Sequence, residues 1–323
     1  MDLPRDIFVN ILLKLSVKCI FSCKFVCKTW YHLISSPEFV NRHLAQVSTS
    51  LLIRDFHYYL AEPSDHGLHD FDLKYCWCEP KCNSTHCCAF TITPSAKLKG
   101  AIYNPTTGEC LILPEIFNND HRASDHHVMH FRVCGLGFNP KCNEYKVIRI
   151  FQGKDGNVGA EIHTLGTSSW KSVGDVPHSA LKLLFPTYHE GALHWIFKIS
   201  MFEKYIISFD LDNDKFECHS LPPQCHQMAM SVAVLEGCLC MCGHMGNVFV
   251  KYIYVWVMKK FGAWESWTEL FSFTIDGRFQ LQGYGHYQPI YSSNGALVLY
   301  RPSHKALLYY DQGRKDIKMF CRR

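Results

Sequence analysis

Seventeen cysteines and nineteen histidines give this 323-residue chain ample raw material for metal or thiol chemistry. The densest group is Cys76, Cys78, Cys82, Cys87 and Cys88, with His66, His69 and His86 nearby. A tetrahedral zinc ion needs four such ligands, normally as two short knuckles with two to four residues between cysteines. Cys78, Cys82, His86 and Cys87 offer the right ligand types at near-right spacing. The second knuckle is missing, however, and Cys82 cannot serve in both pairs, so the segment reads as a cysteine-rich loop without metal. The start, MDLPRDIFVN, lacks a basic stretch followed by an apolar one, so a secreted protein is not expected and the thiols should be free.

Catalytic constellations are equally hard to assemble. The chain has no Gly-x-Ser-x-Gly elbow, no His-Glu-x-x-His and no phosphate loop ending in Gly-Lys-Ser/Thr. GLGFNP lacks the helix a dinucleotide site needs, so Gly135 and Gly137 read as strand glycines that permit close backbone approach. Cys238, Cys240 and Cys242 alternate on one face of an apolar strand and fill core; Cys19, Cys23 and Cys27 recur every four residues and should line one side of a helical run. His121, His126 and His127 lie in a polar stretch, 118–130, that reads as a surface loop.

The elements around these residues differ sharply between the two ends of the chain. Residues 3–44 read as short helices. Pro4 suits a helix start, and Leu3, Pro4, Ile7, Ile11, Leu12 and Leu15 follow as an apolar stripe at helical spacing. Val17, Ile20, Phe21 and Phe25 mark a second segment; Val26, Trp30, Leu33 and Ile34 mark a third; Pro37 opens a fourth from Glu38 to Leu44. About 40 residues cannot enclose so many large side chains in one core, so another protein should cover part of this surface.

The ordered set Leu3-Pro4, Ile11-Leu12, Lys14-Leu15, Val26-Cys27-Lys28-Thr29-Trp30 and Leu33-Ile34-Ser35-Ser36-Pro37-Glu38-Phe39 resembles the F-box, the adaptor-binding module of cullin-type ubiquitin ligases. The resemblance implies docking on a Skp-family adaptor, and through it a cullin scaffold, by Leu3, Pro4, Ile7, Ile11, Leu12, Leu15, Ile20, Val26 and Trp30, with Trp30 also anchoring the module's core. The family places proline after the leucine at position 15; this chain has Ser16, which weakens the stop between the first two helices.

Net charge is +4, of which +3 falls in residues 1–45, suiting an acidic partner for the helical module rather than nucleic acid. A hydrophobic content of 47% and a charged content of 19% describe a folded protein with a sizeable core. No apolar run approaches the ~20 residues of a membrane span. The expected compartment is cytoplasm or nucleus.

Beyond residue 100, five hairpin signals recur: 101–113, 160–173, 206–221, 254–270 and 307–320, with turn centres 61, 46, 48 and 51 residues apart. Between them, HEGALHW (189–195), LEGCLCM (235–241) and SNGALVL (293–299) each place a glycine turn before an apolar run, and 133–151 supplies a further inner pair. Two hairpins per period of about 50 residues make a four-stranded propeller blade. Tyr252–Met258 is apolar on both alternating faces, as a strand sandwiched between neighbouring sheets must be. The expected architecture is therefore a small all-α module (1–45) followed by an all-β, β-propeller-like domain (46–323). About five four-stranded blades are expected, with room for a sixth. Residues 57–88 do not read cleanly as strands.

YNPTTGECLILP (103–114), GLGFNPKCNEYKVIRI (135–150), GALHW (191–195), ISFDLDNDKFECHSLP (207–222) and LLYYD (307–311) resemble the F-box-associated domain common in plant F-box proteins, a kelch-like repeat domain. The usual first inner strand of that family is reduced here to HCCAF (86–90). Together the two resemblances imply a non-catalytic substrate receptor without cofactor, holding a protein substrate whose identity the sequence does not reveal. The rival readings are an F-box binding protein that sequesters its target and a kelch-type metal-dependent oxidase, for which no ligand set is visible.

Overall fold

In a computed structural model of the chain, the residues described are 4–15, 17–44, 51–54, 58–64, 67–76, 101–103, 110–114, 130–152, 158–176, 186–198, 203–225, 228–247, 249–276, 286–304 and 306–321. The chain divides into two compact units, Met1–Thr91 with Ala101–Leu113, and Ile92–Gly100 with Pro114–Arg323.

The first unit opens with four α-helices: α1 (Arg5–Leu13), α2 (Val17–Cys23), α3 (Lys28–Ile34) and α4 (Pro37–Leu44). Val9, Leu12, Leu13, Ile20, Ile34 and Phe39 form their shared core. Trp30 packs on Phe8 with ring centroids 4.6 Å apart. Ser36 makes the joint between the last two helices. Its hydroxyl donates to the Leu33 carbonyl at 2.7 Å and accepts the Phe39 N–H at 3.3 Å, capping α4 where Pro37 has no N–H to satisfy. Ser16 lies outside the described residues, yet α1 still stops at Leu13. The N–H groups of Lys14 and Leu15 turn to the carbonyls of Ile11 and Leu12 at 3.2 and 3.0 Å, the tighter three-residue pattern of a fraying helix end.

The cysteine spacing in this region does not become a buried face. α2 ends at Cys23, and Cys27 stands before α3 in extended conformation (φ −162°, ψ 166°), so the four-residue repeat spans a helix break. Cys19 and Cys27 are exposed and Cys23 is half-buried.

The same unit contains a three-stranded antiparallel meander, β1 (Leu51–Arg54), β2 (Tyr58–Ser64) and β3 (Gly67–Cys76), and a hairpin, β4 (Ala101–Tyr103) with β5 (Cys110–Ile112). β2 and β3 fall where no clean strands were expected. Their register is interrupted by an irregularity at Pro63/Ser64. HCCAF, the metal candidates Cys78, Cys82, His86 and Cys87, and the loop histidines 121, 126 and 127 all lie outside the described residues.

Among the described residues, the second unit holds four four-stranded antiparallel sheets, each built in chain order. The first is β6 (His130–Asn139), β7 (Glu144–Gln152), β8 (Val158–Thr164) and β9 (Lys171–Asp175). The second is β10 (Thr187–His189), β11 (Ala192–Lys198), β12 (Lys204–Asp210) and β13 (Lys215–Ser220). The third is β14 (Ala229–Leu235), β15 (Cys238–Gly246), β16 (Val250–Met258) and β17 (Trp267–Asp276). The fourth is β18 (Gln288–Ser293), β19 (Ala296–Arg301), β20 (Ala306–Asp311) and β21 (Asp316–Cys321). These are propeller-type blades, and the five expected outer hairpins and the inner pairs all fall on them or on β4–β5.

Alternation along the inner strands explains the stacking. On β16, Ile253, Val255 and Val257 join a core with the fourth sheet, while Trp256 and Met258 join a core with the second. On β15, Cys240 and Cys242 face one way and Leu239 and Met241 the other, all buried. Leu193, Trp195 and Phe197 of β11 pack on Ile148 and Ile150 of the first sheet. Glycine serves two purposes. The turns Glu190-Gly191, Glu236-Gly237 and Asn294-Gly295 have positive φ at both residues (42° and 79°, 49° and 74°, 51° and 77°), the mirror-image turn whose twist matches a hairpin. Gly137 instead lets two sheets close up: a Cβ there would overlap Leu211 Cδ1 and lie 3.1 Å from Tyr188 Cδ2.

Candidate functional site

Two surfaces present functional candidates, one in each unit. On the helical module, Ile7 and Ile11 sit one turn apart on α1 and are each 49% exposed. Val26 is exposed, Pro4 is exposed, and Leu15 and Trp30 are half-buried; Leu3 lies outside the described residues. Leu12 and Ile20 correct the expected stripe. Leu12 is 2% exposed and Ile20 is also buried, because at helical spacing Leu12 follows Val9 inward while Ile7 and Ile11 turn out. Phe25, Tyr31 and Val40 add large exposed apolar side chains outside the expected docking set.

In the second unit, a cavity of about 260 Å³ opens where β-turns of three successive sheets meet. Strand register builds its floor. On β11 and β12, His194 pairs with Ser208 and Ile196 with Ile206; on β12 and β13, Ser208 pairs with Glu217 and Ile206 with His219. One face of the second sheet is thus apolar at Ile196 and Ile206, within the core shared with the third sheet. Toward the turns it becomes polar at His194, Ser208 and Glu217. His194 Nδ1 lies 2.8 Å from Ser208 Oγ, and among the described residues its Nε2 makes no hydrogen bond.

The loop between β16 and β17 supplies the opposite wall. Trp264 stacks on His219 with centroids 3.5 Å apart and planes at 14°. Phe261 meets His189 and His194 edge-on, at 4.8 and 5.8 Å. From the first sheet, Asn139, Pro140 and Lys141 close a third side. Lys141 Nζ donates to Asp212 at 2.6 Å, while Lys146 Nζ reaches both the Leu211 carbonyl (2.6 Å) and Asp214 (2.7 Å), tying the two sheets together.

Burial drives the ring pKa of His194 down to about 3 and that of His219 to about 4, so both are neutral at pH 7. His219 Nε2 lies 3.5 Å from Glu217 Oε2, but a neutral imidazole makes no ion pair there. Burial likewise lowers His189. Little in the sequence marks these residues as a group. Their signal was His194 inside the apolar run GALHW, in the same two-residue register as Ile196.

Among the described residues, no three metal-ligating side chains converge, and no helix is long and apolar enough to cross a membrane.

Residues 1–42 match the F-box domain, and residues 56–321 match the F-box associated beta propeller domain. Among curated relatives, F-box protein CPR1 of Arabidopsis thaliana is 26% identical, with 98% of this chain and 83% of that protein covered. The F-box/kelch-repeat protein At3g23880 of the same organism is also 26% identical, covering 92% and 85%. Among solved structures, the β-propeller domain of the trilobed protease from Pyrococcus furiosus aligns at a TM-score of 0.37 and 9% identity, covering 85% of this chain and 86% of that one.

Proposed function

This chain belongs to the family of the F-box associated beta propeller domain, joined here to an F-box, and on that premise we propose that it is the substrate-binding subunit of a Skp–cullin–F-box ubiquitin ligase. The helical module docks on a Skp-family adaptor, the adaptor bridges to a cullin, and the sheets of the second unit hold the protein to be modified. The chain itself performs no covalent step. Its contribution is proximity, the conversion of an encounter between conjugating enzyme and target into a reaction within one complex.

One observation carries the docking half of this reading. A module with a complete small core of its own still leaves Ile7 and Ile11 about half exposed on one face of α1. Two isoleucines so placed provide the apolar centre a partner can desolvate. Leu12 and Ile20 support that face from beneath, and Trp30 holds α1 to α3 through Phe8.

Removing both half-exposed side chains, Ile7→Ala with Ile11→Ala, should cost about 2 kcal/mol of binding, or roughly thirty-fold in Kd. Titration calorimetry of the full chain against a purified Skp-family adaptor reads this directly. Wild-type affinity in the double variant, with unchanged helix content, would refute this contact surface.

A further inference from the structure

We propose that the cavity at the turn end of the second unit receives a basic side chain, lysine or arginine, from the protein substrate; this rests on the receptor reading above. Four carboxylates and one cation stand among the described residues that line it. The cation, Lys141, is drawn to Asp212 at 2.6 Å. Asp210 is occupied in its own turn, accepting from the Asp212 N–H and from Asn213 Nδ2, each at 2.7 Å. Glu190 and Glu217 remain at the rim to meet an incoming positive charge.

The interior suits the rest of such a side chain. Phe261 and Trp264 give it aromatic walls, which accept the alkyl stem by contact. His194 lines the same cavity, 1% exposed and edge-on to Phe261, with no hydrogen bond at Nε2 among the described residues. With the proton on Nδ1 and donated to Ser208 Oγ, Nε2 presents a lone pair that an ammonium or guanidinium N–H satisfies. At about 260 Å³ the cavity has room for one long side chain.

The test uses the full chain bound to its adaptor, titrated calorimetrically with blocked tripeptides Gly-Xaa-Gly in which Xaa is arginine, lysine, norleucine or glutamate, and with agmatine. The arginine or lysine peptide should bind at least tenfold more tightly than the norleucine and glutamate peptides. Glu190→Gln with Glu217→Gln should reduce that binding tenfold or more, and Trp264→Ala should do the same, with melting temperature and circular dichroism as fold controls. Equal binding of the norleucine peptide, absence of binding by both basic peptides, or binding of agmatine alone would overturn the proposal. Adaptor capture, measured on the same samples, is independent of the cavity. Its loss sinks the receptor reading, whereas intact capture without basic-peptide binding sinks the cavity assignment alone.

Discussion

Replacing His194 with glutamine should make the second unit less sensitive to acid. The imidazole is 1% exposed and its pKa falls from 6.5 in the open chain to about 3 when folded, because burial penalises the charged ring. As pH drops below 6.5, the unfolded chain takes up this proton and the folded one does not, so stability is complete above 6.5 and declines down to about 3. At pH 4.5, two units below the unfolded value, the loss from this one group is roughly 3 kcal/mol. That is a large part of the ~5–15 kcal/mol that holds a typical domain together. Glutamine keeps a polar group near Ser208 Oγ and carries no titrating proton. Urea unfolding of both proteins, followed by tryptophan fluorescence at pH 7 and pH 4.5, isolates the effect, since carboxylates and His219 are common to both. The wild type should lose roughly 3 kcal/mol more than His194→Gln over that interval. Parallel losses would refute the burial of a neutral imidazole at this position.

Two further outcomes test the packing. Leu12→Ala should destabilise the helical module by about 2–5 kcal/mol, while Ile11→Ala in the free chain should change it by less than about 0.5 kcal/mol; hydrogen exchange of α3 amides separates them. Gly137→Ala forces a methyl group against Leu211, which is fully buried, and should cost about 1–3 kcal/mol, read as a lowered Tm of the second unit with adaptor binding intact.

Hairpins were the legible part of this chain because their information is local. Glu236-Gly237 and Asn294-Gly295 announce a mirror-image turn, and the lack of any polar alternate from Tyr252 to Met258 announces the both-face burial found at Val255–Met258, although Tyr252 itself is 46% exposed. The cysteine repeat at 19, 23 and 27 misled because spacing alone does not show that a helix stops at Cys23. Leu12 and Ile11 are neighbours in sequence, about 100° apart around α1; that spacing separates the two faces, but which face turns inward is decided by the packing of α2 to α4. The cavity was the least legible feature. His194, His219 and Trp264 sit on three separate elements, and only strand register and the packing of one sheet on the next bring them together.

Every four-stranded sheet of the second unit draws its strands from one uninterrupted segment, in order. During synthesis each ladder can therefore close as soon as its fourth strand leaves the ribosome, without waiting for distant sequence, which keeps contact order low for an all-β architecture. The same layout decides how an interrupted chain fails. A product ending at residue 285 would retain β14 to β17 with all their mutual hydrogen bonds, and would lack Leu297, Leu299, Leu308 and Tyr310. Cys240, Cys242, Ile253 and Val255 would then lie bare on an otherwise finished sheet. The defect of such a fragment is adhesion to other proteins rather than loss of its own ladders, the kind of surface that quality-control machinery recognises.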